Sequence, residues 1–328
     1  MDALYLKPPL TGEELTKRLS EKIVHTPIVE GLLYKDASLM VVAQPSVGKS
    51  VISTQVCMQI CAAVPVFGAL NVPEPKKIWY MQMERPETET LERIQMMQAG
   101  IPLVAENFVL DIELQKLNFL NDEHFAYIIA RGRQIKPDII WIDPLYGVAP
   151  GLSNDDVASK VTKKFTILKA ELNVTLACNH HTTKNTDEII DGAKVAKFDP
   201  FYGSQWLKAH MTACYYAEHT EHGTRLSNRK DSHSNLLKTL DLYFDHETYI
   251  STLKPEEFQF KDRYRMYINA KYKSPDRMFH FEACRAQLGC AVRSLRGFIA
   301  QSNLRGVLRC VKSPGNKAIY EVLGPESD

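Results

Sequence analysis

The segment 41–50, VVAQPSVGKS, constrains the fold of this chain more than any other. An apolar strand-like run breaks there into a short loop that closes on Gly48-Lys49-Ser50, and an apolar helix pattern follows over 50–63. A loop of this pattern holds phosphate. Small residues let backbone N–H groups approach phosphate oxygens, the lysine reaches the outer phosphates, and the Ser hydroxyl ligates Mg²⁺. The helix behind the loop points the positive end of its dipole at the anion. On this reading Ala43, Gln44, Pro45, Ser46, Val47, Gly48, Lys49, Ser50 and Val51 form the nucleotide-binding segment. Two positions depart from the common pattern. Ala43 stands where the motif opens with glycine, and Ser46 stands where a further glycine is frequent; a positive φ at either would cost roughly 1 kcal/mol.

Three more polar clusters sit at the ends of apolar runs. PDIIWIDPLY (137–146) follows a helix pattern over 121–134 and carries Asp143 at the end of its apolar stretch. An acid at the tip of a buried parallel strand can hold a nucleotide's Mg²⁺ through water. KKIWYMQME (76–84) runs into Glu84, and VTLACNHH (174–181) runs into His180 and His181. A carboxylate in such a place orients and deprotonates an attacking water, and an imidazole senses the γ-phosphate. Ligands of an open α/β sheet sit beyond the carboxyl ends of its strands, so clusters at strand ends converge on one crevice.

Taken in order, AQPSVGKS, the YMQME strand, IIWIDP, NHHTTK and YGSQWLKA resemble the RecA-like ATPase core of the RepA type, related to DnaB-like hexameric replicative helicases. The approach IVEGLLYKDASLMVVAQ and the link CAAVPVFGALNVPEPKKIWYMQME are similar to the same family, and the likeness spans about residues 25–250. It implies an α/β fold: a P-loop core with a mainly parallel central sheet. It implies ATP and Mg²⁺ as ligands, Lys49 and Ser50 on the phosphates and metal, Glu84 as catalytic carboxylate, and Asp143 as the second metal-side residue. His180 and His181 become the γ-phosphate sensor. A homo-oligomer, in this family a hexamer, is implied too, with a cation of one subunit reaching the nucleotide of its neighbour. In TRLSNRKDSHSNLLKTLDLYFDHET the best matches are Arg229 and Lys230, with Arg225 in reserve, although the usual K-x-R spacing is absent.

Composition is that of an ordinary globular chain. With 328 residues, 45% hydrophobic and 24% charged, there is enough for one large α/β domain and a smaller companion. No run of about 18 apolar residues suggests a membrane span, and MDALYLKPPL lacks a basic-then-apolar signal, so a cytoplasmic location is expected. The seven cysteines (57, 61, 178, 214, 284, 290, 310) include no C-x-x-C pair, which argues against a zinc site or a disulfide framework. Neither does Cys178 with the two histidines make a metal site, because adjacent strand residues point to opposite faces.

The net charge of +1 conceals an asymmetry. Between Glu256 and Gly324 thirteen Lys and Arg face six Asp and Glu, a surplus of +7 that leaves −6 on the remainder. A basic segment attached to an acidic core reads as a nucleic-acid contact. FHFEACRAQLG suggests a short helix. VRSLRGFIAQSNL then places Val292, Leu295 and Ile299 on one helical face, with Arg293 and Arg296 away from it. GVLRCVKSPGNKAIYEV reads as two strands joined at 313–316. The arrangement resembles a winged helix-turn-helix, whose second helix enters the major groove while the wing follows the backbone. Arg293, Arg296, Arg309, Lys312 and Lys317 are then the duplex-DNA contacts.

Three parts follow: an N-terminal segment (1–24) with a helix over 11–20, the ATPase core (25–253) and the basic module (254–328). Within the core the polar stretches 146–156 and 185–200 are long loops after strand ends, where RecA-like rings touch single-stranded DNA; Lys194 and Lys197 are the basic contacts by analogy. Two classes of function fit. One is a DNA helicase or DNA-remodelling ATPase of replication or repair; the other is a nucleotide-gated DNA-binding regulator, for example at an origin, without unwinding.

Overall fold

Near-continuous apolar runs become the middle of one sheet. The computed structural model describes residues 10–20, 25–112, 117–181, 187–190, 193–196, 205–232, 236–253, 264, 267–269, 271–272, 276–288, 292–312 and 318–325. In the unit Met1–Leu253, helix α1 (Gly12–Ser20) and the small pair β1 (Pro27–Val29) and β2 (Leu33–Tyr34) precede the sheet. Strand β3 (Ser38–Ala43) leads through the glycine loop into α2 (Lys49–Ala62). Then come β4 (Ile78–Gln82), α3 (Glu87–Met97), β5 (Phe108–Ile112), α4 (Asp122–Ile135), β6 (Ile139–Asp143), α5 (Asp155–Leu172) and β7 (Thr175–His181). A hairpin of β8 (Asp187–Ile190) and β9 (Ala193–Ala196), the short α6 (Gln205–His210), and β10 (Ala213–Thr220), β11 (Gly223–Asp231), β12 (Thr239–Phe244) and β13 (Ser251–Leu253) complete the unit.

The main sheet has nine strands in the order β13-β12-β11-β10-β3-β7-β6-β4-β5. From β10 to β5 every pairing is parallel, and β11, β12 and β13 add an antiparallel flank. Strands β3, β4 and β6 are buried at every residue, as expected of parallel strands covered on both faces. Met40 and Val42, Trp79 and Met81, Ile140 and Ile142, and Leu176 and Cys178 pack with Phe125 and Ile128 of α4 and Phe165 and Leu168 of α5. Residues of the other parity in each strand therefore face the opposite side, where α2 lies. Helix α2 is buried on nearly all sides, which a helix without a polar stripe requires.

Local chemistry sets the helix ends. Asn121 and Asn154 accept backbone N–H bonds at the starts of α4 and α5, and Lys136 and Asn173 close the same helices in the left-handed region. The stretch 146–156, expected as a polar loop, is largely exposed but pinned to the core at three points. Val148, Ala149 and Leu152 are buried and the Phe119 N–H donates to Val148 O, while 150–151 and 153–156 stay exposed.

The unit Lys254–Asp328 contains β14 (Met278–His280), α7 (Phe281–Leu288), α8 (Val292–Leu304), β15 (Leu308–Lys312) and β16 (Ile319–Val322). Its three strands pair antiparallel in the order β14-β16-β15. Tyr264, Ile268, Phe281, Leu288, Leu295 and Ile299 belong to its own apolar core. Among the described residues no helix is long and apolar enough to cross a membrane.

Candidate functional site

The glycine loop begins at the centre of the sheet, between β10 and β7. Ala43 needs no glycine, since it is the last, fully buried residue of β3 and pairs with Ala217 and His181. Ser46 does take the left-handed conformation, with φ of 67°, and Gly48, the N-cap of α2, has φ of 92°. The strain expected of a missing glycine therefore falls on Ser46 alone. The Thr224 hydroxyl, at the start of β11, donates to Val47 O at 3.1 Å and braces the loop.

Lys49 is buried beneath this loop. Its Nζ donates to Ala43 O at 3.0 Å and Gln44 O at 2.9 Å, and lies 3.5 Å from His181 Nδ1. Burial lowers its pKa to about 8 against the opposing pull of the Asp143 and Glu84 charges. Strand parity supplies its neighbours. Asn179 and His181, two apart on β7, meet Ser53 and Lys49, four apart on α2; the Ser53 hydroxyl donates to Asn179 Oδ1 at 2.8 Å. Burial, and then the Lys49 charge, push the His181 imidazole below its ordinary range.

His180 is separated from this group. It is 1% exposed and shares the parity of Leu176 and Cys178, whose side chains pack toward α4 and α5. Of the expected pair, the two-residue period of the strand places only His181 beside Lys49.

Asp143 ends β6 on the α2 side. The Tyr80 hydroxyl donates to its Oδ2 at 2.5 Å, whereas Oδ1 is buried without a hydrogen-bond partner among the described residues. A buried carboxylate oxygen left this way is an acceptor awaiting a donor. Glu84 lies just past β4, its backbone N–H held by the Gln82 side chain at 3.0 Å. Gln44, Pro45, Ser46, Val47, Gly48, Ser50 and Val51 follow the loop into the first turn of α2. Together with Lys49, Ser50, Glu84, Asp143 and His181, loop residues bound a cavity of about 130 Å³.

Two lining residues escaped the sequence reading. Arg85 and Arg93 face both this cavity and an adjoining one of about 700 Å³ bounded by Tyr243, Phe244 and Tyr249. The sequence signal was available in Arg85, next to Glu84 at a strand end, and in Arg93, on the helix that follows. The first cavity is small and carries Lys49, Arg85 and Arg93 against Glu84 and Asp143, which suits phosphate with a cation; the second is larger and aromatic, which suits a nucleoside. Ser50 and Asp143 fit a hard cation, since both offer oxygen and one carboxylate oxygen is unused. Among the described residues no cluster of three His, Cys, Asp or Glu exists, so such an ion would complete its shell from the phosphates and water.

The cations expected to act across subunits lie elsewhere. Lys230 pairs with Cys214, and Cys214 with Met40, so it is in register well upstream of Ala43, toward the far end of the strands. Its ammonium donates to Lys208 O and Ala209 O at 2.8 and 2.7 Å, closing the C-terminus of α6. Arg229 lies over the Tyr216 ring at 5.9 Å. Arg225 is nearer the loop end of the sheet and pairs with Asp241 at 2.5 Å.

Of the expected DNA contacts, Lys194 is in β9, while Lys197 and Lys317 lie outside the described residues. Arg293 and Arg296 are on α8; Arg296 is exposed, 6.0 Å from the Phe281 ring. Lys312 ends β15, and Arg309 is exposed and pairs with Glu321 on the neighbouring strand.

A family model described as an AAA domain matches residues 16–187, more than half of the chain, which contain Lys49, Ser50, Glu84, Asp143 and His181. Among solved structures the chain resembles one described as an ATPase domain, at 15% identity and a TM-score of 0.51 over 67% of this chain and 86% of that one. It also resembles a DnaB-like replicative helicase described with its interactions with primase, at 13% identity and a TM-score of 0.53 over 73% of this chain and 66% of that one. At these identities the likeness establishes the fold: an α/β core with a mainly parallel sheet, like that of helicase ATPase domains. No curated protein matches the chain.

Proposed function

The chain belongs to the AAA domain family, and from that premise we propose that it is a RecA-like ATPase that hydrolyses ATP to move along or remodel DNA in replication. The observation that carries this reading is the gathering of Lys49, Ser50, Glu84, Asp143 and His181 around one small cavity at the carboxyl ends of the strands. Backbone N–H groups of 46–49 and the Lys49 ammonium hold the β- and γ-phosphates. Glu84 orients the attacking water and takes its proton. Neutral His181 reports on the γ-phosphate through its position beside Lys49. Arg85 and Arg93 balance charge on the outer phosphates, and the aromatic cavity takes the nucleoside. A bound Mg²⁺ held by Ser50 and, through water, by the free oxygen of Asp143 would neutralise developing phosphate charge.

The reading extends to an oligomer, a hexamer by analogy, in which a β11 cation completes the neighbour's site. Lys230 would have to leave the end of α6 to serve, and Arg229 lies beside it in register, so Arg225, nearer the loop end, is the better placed of the candidates. Among the described residues, the order strand, two helices, two strands over 278–322 supports a winged helix-turn-helix, with Arg293 and Arg296 on its second helix and the β15–β16 hairpin as the wing. Turnover stimulated by DNA, together with separation of a labelled duplex, is the expected result. ATP-dependent duplex binding without separation would replace the motor by a nucleotide-gated switch.

A further inference from the structure

The antiparallel flank reaches the phosphate loop through a buried side chain, Thr224. Strand β10 runs two residues past Ala217, the partner of Ala43, to His219, and His219 is the register partner of Thr224. Thr224 is therefore level with the loop. Its hydroxyl donates to Val47 O at 3.1 Å, and a Cβ at Gly48 would lie 3.8 Å from the same hydroxyl oxygen. The strand that carries Thr224 is itself closely held: the Phe244 N–H donates to His222 O at 3.1 Å, and a Cβ at Gly223 would lie 2.3 Å from Leu242 O.

The loop does not keep its shape by its own preference. Ser46 is left-handed at φ 67°, a conformation that a non-glycine residue holds only where its surroundings impose it. Residue 48 is a glycine at φ 92°, and glycine takes either sign of φ with similar ease, so the peptide plane between Val47 and Gly48 has two accessible orientations. A trans peptide directs its C=O and its N–H to opposite sides. With Val47 O turned to β11, the Gly48 N–H turns the other way. Val47 and Thr224 border the larger cavity, whereas Gly48, Lys49 and Ser50 border the phosphate cavity. The reversed plane would aim a carbonyl oxygen at an anion instead of an N–H.

We propose that Thr224 is a positioning residue for phosphate: its hydroxyl locks the Val47–Gly48 peptide with the N–H toward the anion. This rests on the nucleotide reading of the loop. A chain that carries serine at position 46 thereby has its anion-binding loop set before the ligand arrives, and a preformed loop binds more tightly than one that must be ordered on binding.

The test is calorimetric binding of ATP and of inorganic tripolyphosphate, both without metal, to the full chain as wild type, Thr224→Val, Thr224→Ala and Thr224→Ser, with thermal melting alongside. Loss of the donor in the Val and Ala variants should weaken both ligands by about tenfold, while Thr224→Ser, which keeps the hydroxyl, should stay within about twofold of wild type. Melting temperatures should stay close to wild type in all three. Unchanged affinity in the Val and Ala variants overturns the proposal, and so does an equal loss in Thr224→Ser. A loss for ATP alone would assign Thr224 to the nucleoside cavity, and melting lowered by more than about 10 °C in both the Val and Ala variants would make the hydroxyl a support of the domain rather than of the loop; either result overturns it too. A wild type that binds neither ligand would instead remove the proposed function itself.

Discussion

At the scale of single residues, Lys49 disfavours the charge of its neighbour His181 in a buried corner. Burial is the larger cause of the lowered imidazole, and the Lys49 charge, its Nζ 3.5 Å from Nδ1, adds to it. His181 is therefore neutral near pH 7 and takes a proton only below the ordinary imidazole range. Lys49→Met removes one of the two causes. In a histidine NMR titration the His181 midpoint should rise in that variant, yet stop short of the ordinary value because burial persists; an unmoved midpoint would mean that Lys49 does not face the ring. Much of this corner was legible in the sequence, since Lys49, Asp143, Glu84 and His181 each end or follow an apolar run. What the sequence alone did not resolve was the division of His180 from His181. Strand period makes neighbours diverge, but only the observed partners, Cys178's packing and Lys49's ammonium, say which histidine faces which way. Arg85 and Arg93 were passed over for another reason: Arg85 follows Glu84 at a strand end and Arg93 is on the next helix, but charges in such places are common, and the fold is what brings these two to the loop.

At the scale of elements, the turn after β6 and the α4–α5 contact offer a comparison. A Cβ at Gly147 would meet Met83 Cβ at 2.5 Å, whereas one at Gly132 would meet the far end of a flexible side chain, Leu172 Cδ1, at 2.3 Å. Gly132→Ala can be absorbed by a rotamer change, and within a helix it recovers up to about 1 kcal/mol of propensity. Gly147→Ala has no such relief and should cost about 1 to 3 kcal/mol as overpacking. Urea unfolding of the two variants should show a marked loss for Gly147→Ala and little or none for Gly132→Ala; equal losses would contradict the packing described. Helix positions were readable from caps and periodicity: 121–134 became Asp122–Ile135 and 50–63 became Lys49–Ala62. Within the loop 146–156 the burial of Val148, Ala149 and Leu152 was not, because turn and cap residues surround them in sequence. The antiparallel flank was also unread, since β11 and β12 carry polar residues at alternate positions and lack the apolar runs that mark the parallel strands.

At the scale of the whole molecule, charge separates the two units: the surplus of +7 between Glu256 and Gly324 faces −6 elsewhere. If the basic unit follows a duplex backbone, affinity must fall with salt, and each neutralised phosphate lost should reduce the slope of log K against log salt by roughly one. Arg293→Glu with Arg296→Glu in the full chain is expected to weaken duplex binding strongly and flatten that slope by about two; unchanged slope and affinity at two salt concentrations would make this unit a protein-docking surface. The Arg309–Glu321 pair is exposed and worth at most about 1 kcal/mol, so it yields readily to a phosphate. Above all of this stands the claim that ATP is hydrolysed at the loop beginning after Ala43. The most direct measurement is ATP turnover by wild type and Lys49→Ala, purified side by side and assayed with Mg²⁺ and saturating DNA. The account predicts turnover in the wild type and its loss in Lys49→Ala. Wild-type turnover in Lys49→Ala would contradict it.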